Sequence, residues 1–548
     1  MPELVLGPLL RYVGEREATI WVEADSPCEV SVLGRRTPTF CVEGHHYALV
    51  AVRDLEPGRV YEYDVHLDDR RCWPPDTGDQ PPSSIRTIDS SRPLRLNFGS
   101  CRVSVPHEPP YTLTKDEDDR GREIDALYAL AQQLRERPRS DWPDLLLMLG
   151  DQVYVDEDAP QTRAFIRARR DTGARPGEGV ADFEEYTRLY REAWGDTTLR
   201  WLLSTVSTAM IFDDHDVHDD WNTSAAWLEE MEHHDWWHER MTAALMAYWL
   251  YQHLGNLSPD ELDGNEMFAR VRGTGDGGAD LRRHAREWDH HRNGSRWSHA
   301  RLLGRTKLVM LDSREGRHLE EGERRMFDDA EWDWICREVS GDFDHVVLAD
   351  TLPVLMPPAF HHIEAWNEAV CAGAWGRAGR WLLGERLRRA VDLEHWAAFQ
   401  SGFVRMSRLL GAIARGDHGP APATIVLLAG DIHHAYLAEV ALPRSVGARS
   451  AVYQAVCSPF RNPLDRHERL VARFGSSRVA GPIMHRLARL AGVPDPPIRW
   501  RLTEPPTFDN QFGTLELEGR RARVRIERTL PDTWPRAPTE VTLDRELA

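Results

Sequence analysis

Six apolar runs in this chain stop abruptly at side chains able to do chemistry, and that recurrence constrains the fold more than any other feature. Leu94–Phe98 runs into Gly99-Ser100-Cys101-Arg102, and Leu145–Leu149 into Gly150-Asp151-Gln152-Val153-Tyr154. Ala209–Phe212 meets Asp213-Asp214-His215-Asp216, and Leu308–Leu311 meets Asp312-Ser313-Arg314. Val346–Ala349 precedes Asp350, and Ile425–Ala429 precedes Gly430-Asp431-Ile432-His433-His434. Between them lie stretches with 3.6-residue apolar spacing, among them 124–134 and 380–415, which predict helices. Buried strands whose ends carry reactive groups belong to an α/β sheet with a site at its strand termini.

Residues 1–90 follow a different rule. Ala18, Ile20, Val22 and Ala24 alternate with period two, and similar short runs follow, so this region predicts a small all-β module. Leu55-x-Pro57-Gly58-x-Val60-Tyr61-x-Tyr63 looks like the tyrosine corner of fibronectin type III-like sandwiches. The Pro/Asp-rich stretch 74–82 and Ser90–Pro93 read as a linker, leaving 91–548 as the larger domain. Within it, 220–300 is a long excursion between two strands, read either as a lid or as a packed insertion. Residues 512–527 alternate around Gly519 and predict a β-hairpin.

Composition excludes several classes. Asp+Glu 88 against Lys+Arg 68 gives a net charge of −20, the wrong sign for broad nucleic-acid binding, though not for one basic pocket. Seven cysteines without a C-x-x-C pair do not make a disulfide scaffold; Cys28 and Cys41 are near enough in sequence to bridge, but a reduced compartment is the default. The N-terminus does not read as an export signal, and no apolar run approaches the roughly 18–20 residues of a membrane span. The expectation is a cytoplasmic protein with no membrane partner.

The chemistry is expected at the strand ends. Residues 213–220 hold five carboxylates and two imidazoles, a density that calls for cations nearby. Asp151 and Tyr154 share a face if the chain turns helically after its strand, and Asp431 and His433 share a side if it stays extended. His434 then turns away. Cys101 reads as inert packing or, as a thiolate, as a metal ligand. Arg102 and Arg317 are candidates for anion contact, while Arg314 suits equally an ion pair that holds its loop.

Taken in order, G-S-C-R at 99–102, G-D-Q-V-Y at 150–154, D-D-H-D-V-H-D-D-W at 213–221, L-D-S-R-E-G-R at 311–317 and G-D-I-H-H at 430–434 resemble the PhoD-like alkaline phosphatase (alkaline phosphatase D) family, a branch of the calcineurin-like metallophosphoesterases. The resemblance implies an αββα metallophosphatase sandwich preceded by the small β-sandwich, and it implies a site holding Fe3+ and Ca2+, other divalent metals being possible. By the same resemblance Cys101, Asp151, Tyr154 and His433 hold the ferric ion. Asp151 bridges to a calcium site completed by Asp431 and a ligand from the 213–220 cluster, Asp214. Asp219-Asp220 stands where members commonly carry an Asn pair, which leaves the identity of that cation open.

The implied partner is a small-molecule phosphate ester, monoester or diester, cleaved by a metal-activated water. His215 would protonate the leaving oxygen, and Arg317 or Arg102 would offset charge on the phosphoryl group. The alternatives on the same scaffold are an esterase or lactonase, and a non-catalytic ligand-binding protein. Oligomeric state is not legible at this level.

Overall fold

The computed structural model describes residues 1–75, 80–157, 159–290, 296–477, 479–531 and 533–548. Part of the expected 74–82 linker, and residues 291–295 of the 220–300 excursion, lie outside the described residues.

The N-terminal strands are antiparallel throughout. Leu4–Val13, Ala18–Ala24, His45–Val52 and Phe40–Val42 form one sheet in that spatial order. Arg35–Pro38, Glu29–Val32, Val65–Leu67 and Arg70–Trp73 form another. At the predicted corner, the Tyr61 hydroxyl accepts from the Glu56 N–H at 2.8 Å. Tyr63 reaches further, donating to the Ser204 carbonyl at 2.6 Å and so tying the module to the larger body.

That body holds two mixed sheets. In the first, Thr208–Ile211, Leu145–Leu149 and Leu94–Gly99 run parallel, and Gln511–Glu518, Arg521–Thr529 and Thr539–Glu546 continue it as an antiparallel meander. The first turn of the meander is the hairpin expected around Gly519. In the second, Thr306–Leu311, His345–Asp350, Thr424–Ala429 and Ala451–Val456 are parallel neighbours, with antiparallel strands at both edges. The parallel core strands are buried at every position or nearly so, because helices and the opposing sheet cover both faces. One continuous apolar core joins both sheets to the N-terminal module.

Up to His290 the 220–300 excursion is largely helical, and it packs on the N-terminal strands. Trp21 Nε1 donates to the Leu250 carbonyl at 3.0 Å, and the Gly277 N–H to the Cys41 carbonyl at 2.8 Å. The expected helix over 380–415 is interrupted. Helical turns end at Ala390 and a new helix, Gln400–Arg415, begins ten residues later. Local periodicity lost here to buried charge: the irregular stretch delivers Glu394 to Arg314 and His395 to Asp431. All seven cysteines are free thiols, so Cys28 and Cys41 are not bridged. Among the described residues no helix is long and apolar enough to cross a membrane.

Candidate metal centre

The ends of the parallel strands from both sheets meet at one place, and glycines let them. Gly430 follows Thr424–Ala429 so closely that a Cβ there would lie 2.1 Å from Ser100 Oγ of the other sheet. Gly150 sits at φ +104°, a region open only to glycine, with the Asp213 side chain 2.8 Å from where its Cβ would be. Cross-links fix the junction: the Asp431 N–H donates to Ser100 Oγ at 2.8 Å, and the Arg102 N–H to the Asp151 carbonyl at 3.2 Å.

After three of these strands, Leu94–Gly99, Leu145–Leu149 and Thr424–Ala429, the chain turns through the left-handed region on a residue that is not glycine. Cys101, Asp151, Asp431 and His433 have φ of 58°, 53°, 66° and 53°. Such residues are uncommon and costly, and they concentrate where a fold holds side chains for a purpose. The extended backbone expected for Asp431–His433 is therefore wrong in detail; tight turns aim these side chains instead.

The turns bring the expected residues together. Ligand atoms of Asp151, Asp214 and His215 all lie within 4.8 Å of one another, as do those of Asp213, Asp214 and Asp431. The Tyr154 hydroxyl donates to Asp151 Oδ2 at 3.3 Å, and its ring stacks on His215 at 4.3 Å. Cys101 Sγ points at the Asp431 carbonyl, 3.3 Å away. His433 borders an open cleft of about 400 Å3 also lined by Lys115, Arg122, Arg163, Asp156 and Glu157. His434 turns aside, its Nδ1 on the Ile432 carbonyl at 2.7 Å.

Electrostatics indicate what the cluster lacks. Burial first, then the neighbouring carboxylates, push Asp151 well above the usual carboxylate range. Asp213, Asp214 and Asp431 are raised too, chiefly by burial, despite the partial relief Arg314 gives. Cys101 and Tyr154 are held from ionising by burial and by the charge of Asp151. Burial, aided by the His215 charge, lowers His433 to about 3, leaving a neutral imidazole ready to coordinate. Asp151 Oδ1 is buried without a hydrogen-bond partner among the described residues. Acidic oxygens, a thiol and a phenol that only a cation would ionise, and a neutral imidazole form a donor set that fits metal ions.

Arg102 and Arg317 are placed differently from expectation. Arg102 is buried with Nε on Asp125 Oδ2 at 2.7 Å and Nη1 on the Ala193 carbonyl. Arg317 is buried between the Ser313 carbonyl and Glu394, whose Oε2 lies 3.0 Å from Nη1. Both guanidinium groups serve interior partners; the cations at the opening are Lys115, Arg122 and Arg163. Arg314 makes the ion pair foreseen for it, with Asp213 and Glu394 at 2.5 Å each.

Sequence reasoning missed His395, whose Nε2 lies 3.1 Å from Asp431 Oδ2 and whose Nδ1 lies 2.7 Å from Glu364 Oε1. Nothing local marks it, because it sits in no strand-end motif. It also missed Thr351, which donates to Asp213 and directly follows the Asp350 strand end. That adjacency was the one signal available.

Two mixed sheets with a buried carboxylate–imidazole cluster at their strand ends make up the expected αββα sandwich fold. Residues 125–341 match the family model of the PhoD-like phosphatases. Residues 1–85 match a family described as a domain of unknown function (DUF7800). Among solved structures, one titled "Structure of PhoD" is similar in fold, with a TM-score of 0.59 and 12% identity, over 99% of this chain and 92% of that one. No curated protein sequence matches the chain.

Proposed function

We propose that this chain hydrolyses phosphate esters at a two-cation centre built on Asp151. The match of residues 125–341 to the PhoD-like phosphatases supports a phosphoesterase. The observation that carries the reading is the convergence of Asp151 and Asp214 from separate strand ends, with Asp151 Oδ1 buried and without a hydrogen-bond partner among the described residues. Cys101, Tyr154, Asp151 and His433 would hold one ion, and Asp151, Asp214 and Asp431 the other. Thiolate, phenolate and imidazole suit Fe3+, and carboxylates suit Ca2+, the pair the family resemblance implies. When bound, such ions supply Lewis acidity toward phosphoryl oxygens and acidify a water molecule.

The protein's own groups do the rest. His215 works against its burial: the charges of Asp214, Asp151 and Asp219 raise it to about 10, so it keeps a proton for the leaving oxygen. Its stacking on Tyr154 fixes the ring plane. Lys115, at the cleft beside His433, is placed to attract an anionic ester. Asp219 Oδ1, 3.6 Å from His215 Nε2, helps hold that proton.

The test combines metal analysis with turnover of an aryl phosphate, a bis-aryl phosphate and a carboxylic ester. Asp151→Asn should lose metal and, by roughly a thousandfold or more, rate. Parental phosphate turnover in that variant would sink the proposal; preference for the carboxylic ester would move the reading to an esterase. A visible charge-transfer band marks Tyr154 on ferric iron, and a colourless, iron-free, active enzyme would remove the Cys101 and Tyr154 assignments.

A further inference from the structure

Two helices near the cleft are built inside out. Arg466–Gly475 and Ala480–Leu490 turn small residues inward: Ala472, Gly475, Ala480, Gly481 and Ala488 are buried. Close packing requires them; a Cβ on Gly475 would lie 2.3 Å from Phe360. Most of their large apolar residues face solvent instead, Leu487 being the one that packs on the core. Leu470 is 64% exposed, Phe474 59%, Ile483 51% and Leu490 76%. Among the described residues, eleven of the sixteen exposed large apolar side chains lie in 375–391 and 470–490, and both segments pack on the helix Pro358–Cys371. A helix of a globular protein normally turns its large apolar residues toward the core, and a concentrated exposed apolar patch marks an interaction surface.

Charge selects the partner. Residues 466–490 carry Arg466, Arg469, Arg473, Arg478, Arg486 and Arg489 against one acid, Glu468, in a chain of net charge −20. Arg466 and Arg489 meet Asp116 and Asp495 in exposed pairs, which hold weakly against a competing anion. Arg486 makes no ion pair among the described residues. Apolar side chains among guanidinium groups on a surface helix fit the boundary of an anionic bilayer, where the former enter the acyl region and the latter meet lipid phosphates.

We propose that helices Arg466–Gly475 and Ala480–Leu490 dock the protein peripherally on anionic lipid membranes through Leu470, Phe474, Ile483 and the flanking arginines. Leu464 and Glu468, at the base of the first helix, line the same cleft as His433, so docking sets the opening beside the lipid surface. The expectation of no membrane partner rested on the lack of a spanning segment, which such docking does not need.

The test is flotation of the full chain with vesicles of phosphatidylcholine alone or mixed with phosphatidylglycerol. The chain should float with the mixed vesicles, much less with phosphatidylcholine alone, and binding should fall with added salt. The Leu470→Ser/Phe474→Ser/Ile483→Ser variant should bind at least about tenfold more weakly at unchanged Tm. Arg473→Glu/Arg486→Glu should abolish the preference for anionic vesicles. Failure of the parent chain to float, or equal flotation of the apolar variant, overturns the proposal. So does a concentration-dependent dimer that the same substitutions dissolve, since a second copy would then own the face. These readouts do not depend on catalysis, so the phosphoesterase reading stands or falls separately.

Discussion

Two carboxylate-rich regions lie side by side in this protein and solve burial differently. Glu394 is fully buried, yet Arg314 and Arg317 hold its carboxyl below its ordinary pKa in spite of that burial. Asp151, Asp213 and Asp214 are buried as deeply, Asp431 is partly buried, and all four are pushed up. The first region matches its charges with residues of the chain. The second does so only in part, through Arg314 on Asp213 and His395 on Asp431, and an excess of buried charge of one sign is retained where an external cation completes it. Local charge balance thus separates a structural network from a candidate site more sharply than residue type does.

Breaking the matched region should cost the fold. Glu394→Leu leaves two buried guanidinium groups facing one another, so stability should fall by about 3–5 kcal/mol, read as a lowered Tm and denaturation midpoint. Metal content per folded molecule should stay near parental. A variant that kept its Tm but lost its metal would merge the two regions into one.

Within the unmatched region, His215→Gln should keep bound metal and lose about two to four orders of magnitude in kcat on an aryl phosphate, if the imidazole supplies a proton. Loss of metal with rate would make His215 a ligand instead. His395→Gln loosens Asp431 from its Glu364-anchored partner, and metal affinity should weaken by about 10–100-fold in a chelator competition. An unchanged affinity would remove Asp431 from the ion.

The smallest effect lies away from both regions and checks the reading of buried acids. Burial first, and the Asp312 charge second, raise Glu331 to about 8. A carboxyl whose pKa is higher in the folded than in the unfolded chain takes up protons on folding. Its contribution is present in full below the unfolded value and is lost as pH rises through about 8, roughly 1.4 kcal/mol between pH 7 and 9. Glu331→Gln should flatten that part of the Tm–pH curve, and an identical curve would show that this carboxyl is already ionised in the fold.

Much of the site was legible because its ligands are sequence-local to strand ends. An apolar run followed by Gly-Asp or Asp-Asp-His marks a buried strand that terminates in polar groups, and Asp151, Asp214, His215 and Asp431 carried that signal. The left-handed turn at Cys101 carried none, since cysteine does not favour that conformation and only surrounding contacts impose it. His395 was invisible for the opposite reason: its stretch reads as helix by periodicity, and a tertiary ion pair unwinds it.

By itself the sequence determined which segments become buried strands, where polar chemistry follows them, and the α/β class with its antiparallel N-terminal module. Those properties follow from side-chain hydrophobicity at periods of two and 3.6, which act within a few residues. Only the tertiary structure decided that Arg102 and Arg317 serve interior acids, that Glu394 and His395 leave the helix, and that large apolar side chains on 466–490 face outward. Charge pairing and close packing join residues hundreds of positions apart, and local pattern holds no record of such distances.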